Sequence, residues 1–487
     1  MEIAVIGAGI GGLASAIRLA AAGHQVDVFE SNAYPGGKLS TIQVDGYRFD
    51  AGPSLFTMPE YVEALFQLAG KDIRQYFEYE KLDVVCHYFW EDGTQLKAHA
   101  DETRFAQEVE QQLGVDGQVI HRALADSQKK YELTGQTFLH HTLHSSKTWM
   151  TKSVAQALLQ LPSLDIFRSM DQVNTRNVKH PKLVQLFNRF ATYNGSNPYK
   201  APGILNIIPY FEHKIGAFFP KGGMYSITKA LYQLAQDLGA RFYFEQSVSA
   251  IQVQNQQAQG IVVDGQSRSY QRIVSNMDIY YTYKKLLPQE KHPERILRQE
   301  KSTSALIFYW GIKKAFPQLA LHNILFSDDY RAEFEHLDRG QIFSDPTIYI
   351  NISQKHAPED APQGCENWFT MINVPNNTGQ DWEELIQTAR RQMITKINRM
   401  LTIDLESLIA CEHLLDPRSI ESKTTSHRGA LYGTSSNNRM AAFLRHPNFS
   451  RRIKNLYFCG GSVHPGGGIP LCLLSAQIVA QCLQNQK

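Results

Sequence analysis

Residues 3–30, IAVIGAGIGGLASAIRLAAAGHQVDVFE, leave the chain little choice of how to begin. Ile3 to Ile6 is a short apolar run. Gly7, Gly9 and Gly12 follow as G-x-G-x-x-G where a helix should start, with Ala8, Ile10 and Gly11 among them. Backbone amides at such a turn approach a pyrophosphate with no side chain in the way, and the positive end of the helix dipole adds to the attraction. Ala14, Ile17, Leu19 and Ala20 give the helix its apolar content, Gly23 ends it, and Val26 to Phe29 reads as a second strand closing on Glu30. A carboxylate there accepts hydrogen bonds from ribose hydroxyls. Glycine triplets alone say little. The strand before, the helix after and an acid eighteen residues past Gly12 favour a dinucleotide-binding unit over a tight turn with nothing bound.

With 487 residues there is chain for about two to three domains, and no internal repeat or low-complexity linker marks their limits. Two loops rich in Gly and Pro, YPGGKLST at 34–41 and GYRFDAGPSLF at 46–56, follow the opening unit and read as backbone-led walls beside a ligand. From about 80 to 210 the pattern becomes mostly helical, as in RFAQEVEQQLG and SVAQALLQLPSLDIF, and suggests an inserted substrate region. Residues 227–265 return to helix and strands with a closing Asp-Gly turn. Residues 290–420 mix strands such as SALIFYWGI and TIYINIS with the helix DWEELIQTARRQMITKINRML. The last stretch is again strand, glycine-rich loop, helix. The expected division is a discontinuous binding domain from 1–80, 210–290 and 420–487, with 81–209 and 291–419 forming a substrate-binding and membrane-associating region.

A nicotinamide needs little beyond the first unit, whereas FAD is longer and must be held at its flavin end by other segments. CGGSVHPGGGIP at 459–470 crowds five glycines before a helix, which permits close approach to a planar ring and aims a helix N-terminus at it. The alternative is a flexible loop that merely turns the chain.

Composition closes off other classes. Lys plus Arg number 49 and Asp plus Glu 47, so a net charge of +2 offers no field for nucleic acid. The six cysteines are scattered without a C-x-x-C pair, which argues against zinc or a disulfide scaffold and fits a reducing cytoplasm. No charged-then-apolar leader precedes the first strand, so export by that route is not expected. IPLCLLSAQIVAQCL, from Ile469, falls short of the roughly 20 apolar residues of a spanning helix and reads as a buried one.

VIGAGIGGLASAIRLAAAGHQVDVFE, PGGKLST, FDAGPSLF, ATYNGSNPYKAPGI, FPKGGMYSITKAL, IVSNMD and NLYFCGGSVHPGGGIP together resemble the flavin-dependent bacterial-type carotenoid desaturases, phytoene desaturases among them, over essentially the whole chain. The resemblance implies an α/β fold: a Rossmann-like FAD-binding domain of the amine-oxidase type, a mixed α+β substrate domain and a helical membrane-associating region. It implies FAD, with the pyrophosphate at Gly7, Ala8, Gly9, Ile10, Gly11 and Gly12 and the adenosine ribose at Glu30. It places flavin-side contacts at Ser54 and Leu55, an adenine-side backbone contact at Val248, and Asn276 beside the cofactor. Leu431, Gly461, Ser462, Gly468 and Ile469 match segments that approach the flavin. The family's second loop ends in G-G-R, gripping phosphate; here Gly36 and Gly37 are followed by Lys38, expected still to contact the cofactor but with looser geometry, as a point charge without arginine's bidentate fork. Val248 and Asn276 are equally readable as ordinary strand residues; for Lys38 a surface lysine with no role is the lesser alternative.

The implied chemistry introduces a C=C bond into a C40 carotenoid, with a hydride passing to flavin N5 and a proton lost from the adjacent carbon. The chain resembles 1-hydroxycarotenoid 3,4-desaturases slightly more than phytoene desaturases. An apolar tunnel matters more to that chemistry than an acid–base pair. Ile307 to Trp310, Phe187, Phe190, Tyr193, Tyr210, Phe211, Phe218 and Phe219 are candidates to line it, though each such residue is more often plain core. No catalytic base stands out. His464 is the weak candidate, with a backbone-orienting role favoured; His140, His141 and His144 have metal-like spacing but read as a solvated helical face. A bilayer-borne carotenoid implies peripheral membrane contact, for which 146–170, with Lys, Trp and Leu mixed, is the candidate segment. The electron acceptor is expected to be oxygen or a quinone. Two rivals share the fold: a flavin amine or porphyrinogen oxidase, and a non-catalytic lipid-binding chaperone of the GDP-dissociation-inhibitor type.

Overall fold

The computed structural model describes residues 1–142, 144, 164–438, 440–441 and 444–484. The opening strand, Glu2–Ile6, is the centre of a five-stranded parallel sheet in the order Arg241–Tyr243, Gln25–Phe29, Glu2–Ile6, Arg272–Ser275, Leu456–Phe458. Parallel sheets are buried on both faces, so their strands read as continuous apolar runs. The pleat sends alternate residues to opposite sides. Ile3 and Val5 face a core built with the helices Ile10–Ala21, Tyr225–Asp237 and Ile469–Gln484. Ala4 and Ile6 face a core shared with an antiparallel three-stranded sheet, Val248–Gln254, Gln257–Val263 and Gln266–Ser269. The Asp-Gly turn expected there is present: Asp264 and Gly265 both take positive φ, 51° and 73°, and join two strands of that sheet.

A second sheet of seven strands runs in the order Ile409–Leu415, Ser304–Ile312, Glu366–Val374, Ile348–Asn351, His322–Leu325, Val84–Phe89, Gln95–His99. It is antiparallel except where His322–Leu325 meets Val84–Phe89. The helix Trp382–Leu401 covers one face, packing Trp382, Ile386 and Met393 against Phe308, Trp310, Ile350 and Trp368. The other face looks toward the five-stranded sheet. Two strands of this sheet, Val84–Phe89 and Gln95–His99, open the stretch expected to be mostly helical. VVCHYF is a short apolar run without alternation, and periodicity does not separate such a run from a buried helical turn. The helices Glu102–Leu113, Gln118–His140, Met170–Val178 and Pro181–Asn188 follow.

Of the candidate membrane-contacting segment, residues 146–163 lie outside the described residues. Among the described residues no helix is long and apolar enough to cross a membrane.

Candidate active site

The two glycine-rich ends of the chain meet. A Cβ added to Gly11 would sit 3.0 Å from Gly460 Cα, so the N-terminal turn and the C-terminal loop touch backbone to backbone. Asn276, at the tip of Arg272–Ser275, is wedged between them: its amide N–H donates to Ile6 O at 2.8 Å and its Nδ2 to Gly7 O at 3.4 Å. Cys459 Sγ donates to its Oδ1 at 3.6 Å. The helix Ile10–Ala21 is capped by Gly9 with no side-chain hydrogen bond, so its first-turn amides remain for a ligand.

Glu30 is buried at the end of the second strand, and both its oxygens are engaged. Oε2 accepts from Ala8 N at 2.7 Å; Oε1 accepts from Asn32 N at 2.9 Å and Asn32 Nδ2 at 2.8 Å. The carboxylate therefore braces the glycine turn as well as facing the cleft. The second loop is tied to the same turn, Gly36 N donating to Ala8 O at 2.9 Å. Lys38 donates from Nζ to Leu431 O at 2.7 Å and Ala430 O at 3.2 Å, stitching this loop to the GALYG segment nearly four hundred residues away. Burial pushes the Lys38 ammonium down to about 8, against the pull of Asp278 and Cys472.

A continuous cavity of about 550 Å³ runs between the two sheets, within the ~300–1,000 Å³ typical of ligand sites. Gly7, Gly9, Ile10, Gly11, Glu30, Gly36, Gly37 and Lys38 lie on its wall. So do Ser54, Leu55, Val248, Asn276, Leu431, Gly461, Ser462, Gly468 and Ile469. Ala8 and Gly12 are off it: Ala8 is fully buried, and a Cβ on Gly12 would fall 2.0 Å from Gly7 O, so Gly12 serves packing of helix on turn. His464 is also off the wall. Its Nε2 bonds His141 O at 3.0 Å and its amide donates to His446 O at 3.0 Å. Burial pushes its imidazole down to about 4. It joins two segments through its ring and its backbone, away from the cavity. The neighbouring histidines do not share a solvated face: His140 Nε2 bonds Tyr61 OH at 3.1 Å, His144 is largely buried edge-on to His464, and only His141 is exposed. Among the described residues no His, Cys, Asp and Glu cluster suits a metal ion.

Past the glycine loops the cavity opens over the seven-stranded sheet, whose inner face supplies Ala305, Ile307, Ile324, Phe369 and Met371. Of the aromatic residues proposed as lining, Tyr193 is on the wall, beside Ile307 of IFYW; Phe308 and Trp310 point to the helix-covered face, and Phe187 and Phe190 fill a separate core. Two polar networks on the wall were not foreseen from sequence, although Ser54 and Tyr193 within them were named for other roles. One is a chain: Ser54 Oγ to Tyr349 OH at 2.8 Å, and Tyr349 OH to His322 Nδ1 at 2.7 Å. The other is a buried ion pair, Arg189 Nη2 to Glu212 Oε1 at 2.9 Å, with Tyr88 OH on Arg189 at 2.6 Å and Tyr193 OH on Glu212. Burial by itself raises the Glu212 carboxyl, and Arg189 overrides it, leaving the group below its ordinary value.

An uncapped helix start over a glycine turn, a carboxylate at the next strand tip, and a second glycine-walled helix start at the far end suit an extended dinucleotide, and the architecture defines a flavin-dependent oxidoreductase. The family model for flavin containing amine oxidoreductases matches residues 10–484, and the chain belongs to that family. It is 51% identical over 482 residues to the 1-hydroxycarotenoid 3,4-desaturase of Flavobacterium sp. (strain P99-3), covering 99% of this chain and 98% of that one. It is 35% identical to a 4,4'-diapolycopene oxygenase of Methylomonas sp, covering 98% and 97%. A solved oxidoreductase from Methanosarcina mazei shares the fold, with TM-score 0.64 at 16% identity, over 99% of this chain and 100% of the other. The cofactor is FAD, and the protein is an FAD-dependent oxidoreductase of the carotenoid desaturase type.

Proposed function

We propose that the enzyme introduces the 3,4 double bond into a 1-hydroxycarotenoid. The 51% identity to a desaturase of that specificity, over nearly the whole of both chains, carries the reading. The cavity supports it: beyond the cofactor cleft the wall is mostly hydrocarbon, the surroundings a polyene requires. Bound FAD supplies the hydride acceptor. The chain's share is to hold and to exclude water. Turn amides at Gly9 to Gly11 and the Lys38 ammonium hold the pyrophosphate, Glu30 and Val248 bound the adenosine end, and Leu431 with Gly461 to Ile469 flank the ring. Ile307, Ile324, Phe369 and Met371 grip the polyene and keep water from the reacting carbons. Peripheral contact with a bilayer, through which so apolar a substrate arrives, and reoxidation by oxygen or a quinone complete the proposal.

Incubation of the FAD-loaded protein with a 1-hydroxycarotene and, separately, with phytoene tests it by product chromatography. The hydroxylated substrate is expected to lose two hydrogens and absorb at longer wavelength, with phytoene unchanged. Conversion of phytoene alone, or of neither, would refute the assignment.

The position of Lys38 predicts a pH dependence. A neutral amine gives nothing to a pyrophosphate, whereas bound phosphate raises the amine's proton affinity, so binding takes up a proton at alkaline pH. The FAD dissociation constant is expected to rise above about pH 8, approaching tenfold per pH unit. Lys38→Arg, which stays protonated, should flatten that rise. A flat profile in the wild type, read by flavin fluorescence titration, would remove Lys38 from the phosphate site.

A further inference from the structure

We propose that Ser54 Oγ accepts the hydrogen bond of the substrate's hydroxyl, with Tyr349 and His322 as the residues that position it. The inference rests on the hydroxycarotenoid reading above and assigns its specificity to named atoms.

Hydrogen accounting on the chain leads there. His322 Nδ1 faces Tyr349 OH at 2.7 Å and Asn351 Nδ2 at 3.2 Å. Asn351 Nδ2 also donates to Leu321 O at 3.2 Å, which settles which end of that amide is the donor. A donor on it makes Nδ1 the accepting nitrogen of a neutral imidazole, with the ring proton on Nε2, which is buried without a partner among the described residues. Tyr349 therefore spends its proton on His322, and Ser54 spends its own on Tyr349 Oη. Ser54 Oγ is left on the cavity wall with lone pairs that no donor meets among the described residues. An acceptor left unmet in a water-excluded chamber is costly, and a ligand hydroxyl meets it.

The placement suits the reaction. In a 1-hydroxy-3,4-desaturation one carbon separates the carbinol carbon from the reacting pair, so the hydroxyl anchor must stand beside the cofactor and not at the tunnel's far end. Ser54 follows Gly52, which packs so tightly on the second cofactor loop that a Cβ would lie 1.8 Å from Lys38 O. The rival polar group does not compete. Both oxygens of Glu212 are taken by Arg189 and Tyr193, and Arg189 spends its Nη1 on Tyr193 and its Nη2 on Tyr88 and Glu212. Its Nε has no partner but is sealed from the cavity.

Ser54→Ala and Tyr349→Phe, in the full chain, test the proposal. The measurement is the dissociation constant for a 1-hydroxycarotene and for its deoxy counterpart, read from the carotenoid absorption shift on the apoprotein, and the ratio of their KM values in the FAD-loaded enzyme. The wild type is expected to prefer the hydroxylated ligand. Ser54→Ala should lose about tenfold of that preference, one neutral hydrogen bond, with the flavin spectrum unchanged. Tyr349→Phe, which frees the serine proton to turn, should lose part of it. A merely structural role would weaken both ligands alike and leave the ratio intact. Two variants with the wild-type ratio would overturn the proposal, as would a wild type without a preference. Should Ser54→Ala fail to fold or to hold FAD, Tyr349→Phe alone decides: an unaltered ratio overturns, a reduced one supports. A binding preference that Ser54→Ala abolishes in a protein that desaturates neither ligand would keep the hydroxyl site and refute the reaction.

Discussion

Gly12→Ala is expected to bind FAD far more weakly than the wild type and to take up less flavin on reconstitution. The new methyl would lie 2.0 Å from Gly7 O, 3.1 Å from Gly7 C and 3.2 Å from Asn276 Nδ2. Neither side yields cheaply. Gly7, at φ +93°, is anchored through its amide to Phe29 O at 2.7 Å, and Asn276 is wedged against the C-terminal loop. The helix must slide, and with it the amides facing the cleft. Overpacking of this kind costs about 1–3 kcal/mol. Charged to the bound form alone, that is roughly 5- to 150-fold in FAD affinity. Gly9→Ala meets only the end of the Asn276 side chain, at 2.9 Å, and should cost less. Gly23→Ala is the control: its Cβ has nothing within 4 Å, and its positive φ of +80° brings strain of about 1–2 kcal/mol far from the cleft. Flavin bound per polypeptide, from visible absorbance after reconstitution, should rank Gly12→Ala well below Gly9→Ala, with Gly23→Ala at the wild-type level. Full occupancy in Gly12→Ala would contradict the packing role.

The cofactor cleft was legible in the sequence because its chemistry is local. Gly7 to Gly12 and Gly460 to Gly468 are short runs whose backbones meet at one cavity, and a glycine cluster before a helix announces itself without tertiary information. Glu30 and Lys38 follow at fixed offsets. The substrate chamber was not legible for two physical reasons. Its polar groups are made by long-range contacts: Ser54, in a loop, meets Tyr349 across 295 positions, and His322 meets Asn351 as antiparallel strand partners with the helix Tyr330–Asp338 between them in the chain. And SALIFYWGI is buried on both faces, so no alternation reveals which residues turn inward. The pleat gives Ala305 and Ile307 to the cavity and Phe308 and Trp310 to the helix side. His464 shows the same limit of position read from sequence. It sits in the flavin-side loop by sequence, yet its ring reaches out to His141.

The Arg189–Glu212 pair carries the largest expected effect on stability. Arg189→Met removes the charge that holds Glu212 ionised and leaves a carboxylate in the interior, where breaking a buried pair costs about 3–5 kcal/mol. The groups around Glu212 do not compensate. Tyr193 donates one hydrogen bond to it, Tyr88 and Cys86 carry no charge, and burial pushes His213, 3.8 Å away, and His322 down to about 4 and about 3, so both are neutral near pH 7. The cost should depend on pH with a definite sign. In the wild type Glu212 titrates below its unfolded value, so its stabilising contribution is present at neutral pH and is lost only as pH falls through that depressed value. In Arg189→Met burial raises the carboxyl instead, so the penalty stands at neutral pH and shrinks as acid protonates the group. The urea midpoint of the variant should therefore lie far below the wild type at about pH 7 and approach it toward about pH 5. Removing both charges separates the pair from its desolvation. Arg189→Met with Glu212→Leu should recover part of the loss, since no charge is stranded, but not all, because Tyr88 and Tyr193 lose their hydrogen-bond partners. A single variant that costs less than about 1 kcal/mol, or a loss that deepens in acid, would show that Glu212 is not ionised in the folded protein.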